Sequence, residues 1–260
     1  MTPRPWPFLQ SAGPLAIAHR GGAGDWPENT LPAFAGAVAL GYRYVETDVH
    51  VTADGQLVAF HDPSLDRVTD RVGLIADLPW SEVSQARVAP PPGSSAEAAP
   101  IPLLEELLGS WPDVRVNIDP KADASVPPLV EVIRRTDAWD RICVGAFSDR
   151  RLAHFRKLTD DRVCTSLGPA GITRLRLASF GAPGGAFAAG CAQVPTQVKG
   201  RTLVDARFLA AAQARHLPVH VWTIDESAEM TRLLDLGVDG VMTDRPAVLK
   251  AVLEQRGEWA

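Results

Sequence analysis

Two histidines, three carboxylates, a lysine and an arginine fall at the ends of short apolar runs in this chain. His19-Arg20-Gly21-Gly22 ends the first such run, Glu46 and Asp48 lie in the second, His61-Asp62 ends the next, and Asp119 and Lys121 end the one after that. Residues two apart on a strand point to one face, so Glu46 and Asp48 face the same way, as do Asp119 and Lys121. Adjacent carboxylates repel unless a cation or a shared proton offsets them. Three carboxylates without a thiolate cluster suit a hard divalent cation, Mg²⁺ or Ca²⁺, over zinc. Spacing alone fits ion-paired positions at strand ends equally well. His19 and His61 taken singly would be structural, but an acid and a base with pKa near 7 on one rim suit phosphodiester cleavage. Lysines number only 4 against 22 arginines, which singles out Lys121. With Arg20 it offers a point charge and a fork to a phosphate, and an ion pair is the plainer alternative for each. Trp222 is placed either to close a substrate pocket or to pack the core.

The elements that must position these residues alternate. Strands are expected at 15–19, 44–51, 114–119, 142–147, 163–166, 191–194, 219–223 and 240–243. Helices are expected at 30–40, 126–136, 148–159, 170–179, 205–215, 227–236 and 247–254. Asp54-Gly55 between YVETDVHV and QLVAFHD predicts a hairpin, so 57–61 returns antiparallel and is not counted with the parallel strands. Eight alternating strand–helix units in 260 residues point to an α/β fold, the (β/α)₈ TIM barrel, with its site at the C-terminal strand ends. No G-x-G-x-x-G follows the first strand, which weakens an open dinucleotide-binding sheet. Prolines, 22 in all, gather in 1–14 and 90–102. Neither segment is expected to form regular helix or central strand. The organisation is therefore a Pro-rich leader (1–14) and one barrel domain (15–256), with a short insertion (about 62–101) between the hairpin and the third barrel strand.

A net charge of −5 and a pI near 5.7 argue against a nucleic-acid or anionic-membrane surface. Cys143, Cys164 and Cys191 are far apart in the chain and have no metal-binding spacing, so they read as buried reduced thiols. Neither a secretory signal nor an apolar run long enough to span a bilayer is apparent, so the cytoplasm is the expected compartment.

Several boxes come in order at fitting spacing: Ala18-His19-Arg20-Gly21, Pro27-Glu28-Asn29-Thr30, Val45-Glu46-Thr47-Asp48-Val49, Thr52-Ala53-Asp54-Gly55, Phe60-His61-Asp62, Val221-Trp222-Thr223 and Gly240 through Pro246. Together they resemble the glycerophosphodiester phosphodiesterase family, over nearly the whole chain from Ile17 to Pro246. The resemblance implies a TIM barrel that hydrolyses glycerophosphodiesters to glycerol 3-phosphate and an alcohol. His19 and His61 match its catalytic pair, Glu46, Asp48 and Asp119 its ligands for one divalent cation, and Arg20 and Lys121 its phosphate-holding residues. Two positions depart from the pattern. Asp119 stands where a glutamate is usual, and its shorter side chain would draw a metal toward this strand or reach it through water. Asp225 replaces the usual asparagine. His50 has the parity of the site but no counterpart in the family pattern, and is left out. Competing readings are a lysophospholipase D or phospholipase-type enzyme, weakened by the lack of an apolar amphipathic stripe in the insertion, and a non-catalytic phosphate-ester binding barrel. A metal-dependent sugar-phosphate isomerase comes third and leaves the histidine pair unexplained.

Overall fold

A computed structural model describes residues 6–259. In chain order the elements are β1 (Leu15–Ala18), α1 (Leu31–Ala39), β2 (Tyr44–Val51), β3 (Leu57–Ala59), α2 (Trp80–Val83), β4 (Arg87–Val88), β5 (Ala99–Pro100) and α3 (Leu104–Ser110). Next come β6 (Arg115–Pro120), α4 (Val126–Arg135), β7 (Ile142–Val144), α5 (Asp149–Leu158), β8 (Cys164–Thr165), α6 (Pro169–Ala178) and β9 (Ala192–Pro195). The chain ends with β10 (Gln197–Val198), β11 (Arg201–Thr202), α7 (Ala206–Gln213), β12 (Val219–Trp222), α8 (Ser227–Leu236), β13 (Gly240–Thr243) and α9 (Pro246–Gln255).

Eight parallel strands run in the order β8-β7-β6-β2-β1-β13-β12-β9, with β3 antiparallel on β2. The longest ladder joins β2 to β6, from Tyr44↔Arg115 to Val49↔Pro120. The ends of the sheet meet through one parallel bridge, Ser166↔Cys191. There the Leu167 N–H donates to Cys191 O and the Gly190 N–H to Thr165 O, both at 2.9 Å. The sheet thus curls into the α/β barrel that the alternation of elements implied.

Helix–barrel packing follows the 3.6-residue period. Val126, Leu129, Val130 and Ile133 of α4 lie on one face and are all buried, each worth roughly 1.5–3 kcal/mol of apolar transfer. α1 starts at Leu31-Pro32, where proline needs no N–H partner, and the left-handed Gly41 (φ 98°) follows its end.

Several features differ from expectation. The leader is not simply irregular: Pro7–Leu9 forms a 3₁₀ turn that drives Phe8, only 1% exposed, into the barrel's lower mouth. Its ring meets Tyr44 edge-on at 5.4 Å (Pro3 and Pro5 lie outside the described residues). The insertion packs a small core of its own, with Phe60, Leu65, Ile75, Val83, Val88 and Ile101 buried together. Its Pro-rich stretch forms the edge strand β5 and reaches the loop after β1, where the Ser94 hydroxyl donates to Asp25 O at 2.7 Å. The hairpin β10–β11 was not foreseen. Its turn puts Lys199 (φ 50°) and Gly200 (φ 74°) in the left-handed region, and lysine there is no turn signal.

Candidate active site

β1 ends in a 3₁₀ turn, His19–Gly21, in which Arg20 adopts φ 51° and Gly21 φ 81°. A Cβ on Gly21 would lie 2.8–2.9 Å from Ala33 and Phe34 at the start of α1, so glycine is required for this approach. The turn aims the Arg20 N–H at Glu46 Oε2 (3.1 Å) and its guanidinium at Asp48 (Nε to Oδ2 3.3 Å) and Glu28 (3.0 Å). Asn29, also left-handed at φ 58°, accepts from the Thr47 hydroxyl at 2.8 Å and donates to Asp48 Oδ2 at 3.1 Å. Lys121 Nζ sits between Asp48 Oδ1 (2.7 Å) and Asp119 Oδ2 (2.8 Å), the shared face that strand parity required.

Each histidine is held by an aspartate at Nδ1. His19 Nδ1 donates to Asp244 Oδ1 at 2.6 Å, and its Nε2 lies 3.7 Å from Glu46 Oε2. His61 Nδ1 donates to Asp62 Oδ1 at 2.6 Å. Asp62 is in turn held by Arg67, which also forks onto Glu28 at 2.7 and 3.1 Å. With Nδ1 committed, Nε2 of each ring is left for proton transfer.

Burial and charge act against each other here. Burial, then the neighbouring Asp48, pushes Glu46 up to about 7. Burial would also raise Asp48, but Lys121 and Arg20 hold it below the usual carboxylate range. Asp119 is raised by burial despite Lys121, whose own pKa rises because Asp48 and Asp119 outweigh its desolvation. Burial pushes His19 down, yet Glu46 and the Asp244 bond leave it above the ordinary histidine value.

All eight residues singled out from the sequence, His19, Arg20, Glu46, Asp48, His61, Asp119, Lys121 and Trp222, line one cavity of about 490 Å³ at the C-terminal strand ends. Its opposite wall is apolar, made by Phe147, Leu167, Ile172, Val198 and Leu203, with Trp222 edge-on to Phe147 at 5.6 Å. Phe147 is 68% exposed and Val198 48%. The apolar entrance is built by the loops after β7, β8 and β9 and not by the insertion. The 90–102 stretch does not line the cavity.

Sequence reasoning missed the positioning partners. Asp244 ends the eighth barrel strand, and closure sets that strand beside the first, so ring geometry would have paired it with His19. His50, which has no counterpart in the family pattern, has its ring Nε2 3.0 Å from the His61 carbonyl and steadies that turn. Asp225 Oδ1 accepts from the Asp244 N–H (2.8 Å) and the Thr243 hydroxyl (3.0 Å). Both bonds need only a side-chain oxygen, so aspartate serves where asparagine was expected.

Two aspartate-held histidines with buried carboxylates and two cations on a barrel rim make a site suited to an anionic ester. The sequence profile of the glycerophosphoryl diester phosphodiesterase family matches residues 19–179 and 185–248. A Mycobacterium tuberculosis protein named "Probable glycerophosphodiester phosphodiesterase 2" is 38% identical over 258 residues, 97% of this chain and 95% of its own. Two solved structures share the fold. One is a glycerophosphodiester phosphodiesterase from Agrobacterium tumefaciens (TM-score 0.76, 21% identity, 93% of this chain and 99% of that one). The other is an Oleispira antarctica phosphodiesterase in complex with the product sn-glycerol-3-phosphate (TM-score 0.75, 23% identity, 93% and 97%). The chain belongs to the glycerophosphoryl diester phosphodiesterase family and is an enzyme of that class. No helix among the described residues is long and apolar enough to cross a membrane.

Proposed function

We propose that this rim hydrolyses glycerophosphodiesters to glycerol 3-phosphate and an alcohol, with His19 and His61 as the acid–base pair. The observation that carries this reading is the matched pair of 2.6 Å aspartate clamps on two histidines lining one cavity. One imidazole takes the proton of the attacking oxygen, from water or from the substrate's own glycerol 2-hydroxyl. The bond from phosphorus to the leaving oxygen breaks, and the other imidazole supplies the proton which that oxygen needs. With the glycerol hydroxyl as nucleophile a cyclic phosphate forms first, and water then opens it.

Glu46, Asp48 and Asp119 would hold one divalent cation, Mg²⁺ or Ca²⁺. Asp119 Oδ1 is buried without a hydrogen-bond partner, and Glu46 holds its proton up to about 7, as expected of carboxylates built to face a cation. When bound, such a cation offsets charge on the phosphoryl oxygens. Arg20 and Lys121, which balance Asp48 and Asp119 in this structure, then have charge to offer the phosphate. Trp222 closes over the bound ester. His19→Ala or His61→Ala should each lower turnover on glycerophosphocholine roughly 10²–10⁴-fold with folding intact. EDTA should abolish activity and Mg²⁺ or Ca²⁺ restore it. Undiminished rates in both variants would remove the histidines from the chemistry.

The apolar wall favours a second reading, a leaving alcohol that carries an acyl chain, as in a lysophospholipid. Comparing kcat/KM for lysophosphatidylcholine and glycerophosphocholine separates the two. If Phe147→Ala lowers only the lipid value, the wall holds the chain.

A further inference from the structure

The overall charge of −5 hides an uneven distribution. From Arg162 to Val204 the sequence has five cations and no aspartate or glutamate, so this stretch is opposite in charge to the remainder. It builds β8, α6, β9 and the hairpin β10–β11, the sector that supplies most of the cavity's apolar wall. Three of its cations are engaged within the fold. The Arg162 guanidinium lies over the Trp139 ring at 4.3 Å, Arg174 lies over Phe187 at 4.1 Å, and Arg176 forks onto Asp205 at 2.8 Å. Lys199 and Arg201 are the other two. Both are exposed, and neither side chain has a hydrogen bond or ion pair among the described residues.

These two cations sit beside exposed apolar side chains at the mouth of the cavity. Every residue of the hairpin, 197–202, is exposed. Val198 pairs with Arg201 across its ladder, so the two side chains share a face, and Val198 also lines the cavity. Phe147, on the loop after β7, lines the same cavity and leaves two thirds of its surface in water. The acidic side chains of the flanking loops are already engaged. Asp123 is held by Arg150 and by Arg151 (3.1 Å), and Asp149 accepts from the Ala170 N–H (3.0 Å). On the other flank Asp225 accepts from the Asp244 N–H, and Glu226 faces Arg245 at 3.9 Å.

We propose that the hairpin tip and Phe147 dock the mouth of the barrel onto an anionic lipid surface, with Lys199 and Arg201 at the headgroups and Val198 and Phe147 at the acyl boundary. The cations are drawn by the negative surface potential, and the apolar side chains gain by leaving water. A soluble polyanion would meet the cations but offers Phe147 and Val198 nothing to enter, so a lipid surface fits this face better. Docking sets the cavity against the surface from which an acylated ester is drawn. That purpose rests on the hydrolytic function proposed for the rim, whereas the attachment itself does not.

The test is sedimentation of the full chain, with Mg²⁺ present, on vesicles of phosphatidylcholine mixed with phosphatidylglycerol and on vesicles of phosphatidylcholine alone. The chain should partition about tenfold more strongly onto the anionic vesicles. Raising the salt to about 1 M, where the Debye length is about 3 Å, should release most of it. Each cation near such a surface contributes about fivefold, so Lys199→Gln combined with Arg201→Gln should weaken binding about 25-fold. Phe147→Ser should weaken it roughly tenfold or more by itself. All three side chains are exposed, so the variants should fold, and circular dichroism checks that they do. No sedimentation on anionic vesicles, or equal sedimentation of the doubly substituted chain, overturns the proposal. So does binding that depends on the cations but not on Phe147, which marks a site for a soluble polyanion. Sedimentation reads attachment without turnover, so its failure leaves the hydrolytic function standing, and an inactive chain that still sediments leaves docking standing.

Discussion

Glu46→Gln tests the electrostatics of the rim without recourse to catalysis. Glu46 is 4% exposed, and its pKa rises from 4.5 to about 7, first through burial and then through Asp48. Between those values the unfolded chain has released this proton while the folded protein still holds it. The folded state binds more protons there, so stability falls as pH rises, and the full cost is in place above about 7. At about 1.4 kcal/mol per pKa unit the cost is about 3 kcal/mol. Glutamine removes the charge and keeps an oxygen for the Arg20 N–H. In EDTA near pH 8 the variant should be the more stable chain by up to about 3 kcal/mol. The gap should close as pH falls to 4.5, the ordinary glutamate value. Urea unfolding followed by circular dichroism across that range measures the difference. Equal stability at every pH, or a less stable variant near pH 8, would refute the argument. Saturating Mg²⁺ should reverse the order, since a cation bound only by the folded wild type stabilises it by mass action.

Asp244→Asn should lower kcat on glycerophosphocholine about 10- to 100-fold with little change in KM, because it releases the His19 ring and not the substrate. Asp119→Glu should retain metal binding, whereas Asp119→Asn should weaken it; calorimetric titration with Mg²⁺ measures both, and normal affinity in the asparagine variant removes Asp119 from the ligand set. Phe8→Ala should cost about 3–5 kcal/mol in urea unfolding while the folded fraction keeps its kcat, since the ring fills the barrel mouth opposite the rim.

The parts of the fold legible in the sequence were those whose signals are local. Tyr44–Val51 is delimited by its β-branched run, and Asp54-Gly55 set the hairpin that kept the count of parallel strands at eight. Parity alone placed Glu46 with Asp48 and Asp119 with Lys121. Contacts made by closing the ring left no such trace. His19 and Asp244 are separated by 225 positions, and the three thiols meet only because successive strands bring them to one layer. The hairpin β10–β11 escaped because its strands are two residues long and exposed, so no alternation of polarity marks them. α3 escaped too: it begins only two residues beyond the proline-rich stretch, whose composition hid the buried Leu104, Leu107 and Leu108.

The single bridge at Ser166↔Cys191 makes the barrel mechanically uneven. Six residue pairs hold β2 to β6, whereas one pair joins β8 to β9, so the ring breathes at that joint first. The amides of Leu167 and Gly190 should exchange with solvent through local openings that leave the β2–β6 ladder protected. The joint lies on the side of Leu167, Ile172 and Val198, while His19 and His61 stand across the ring, on the side of β1 and β2. Opening there widens the apolar half of the cavity and leaves His19 and His61 in register. A bulky group can then enter or leave that half of the cavity without disturbing His19 and His61.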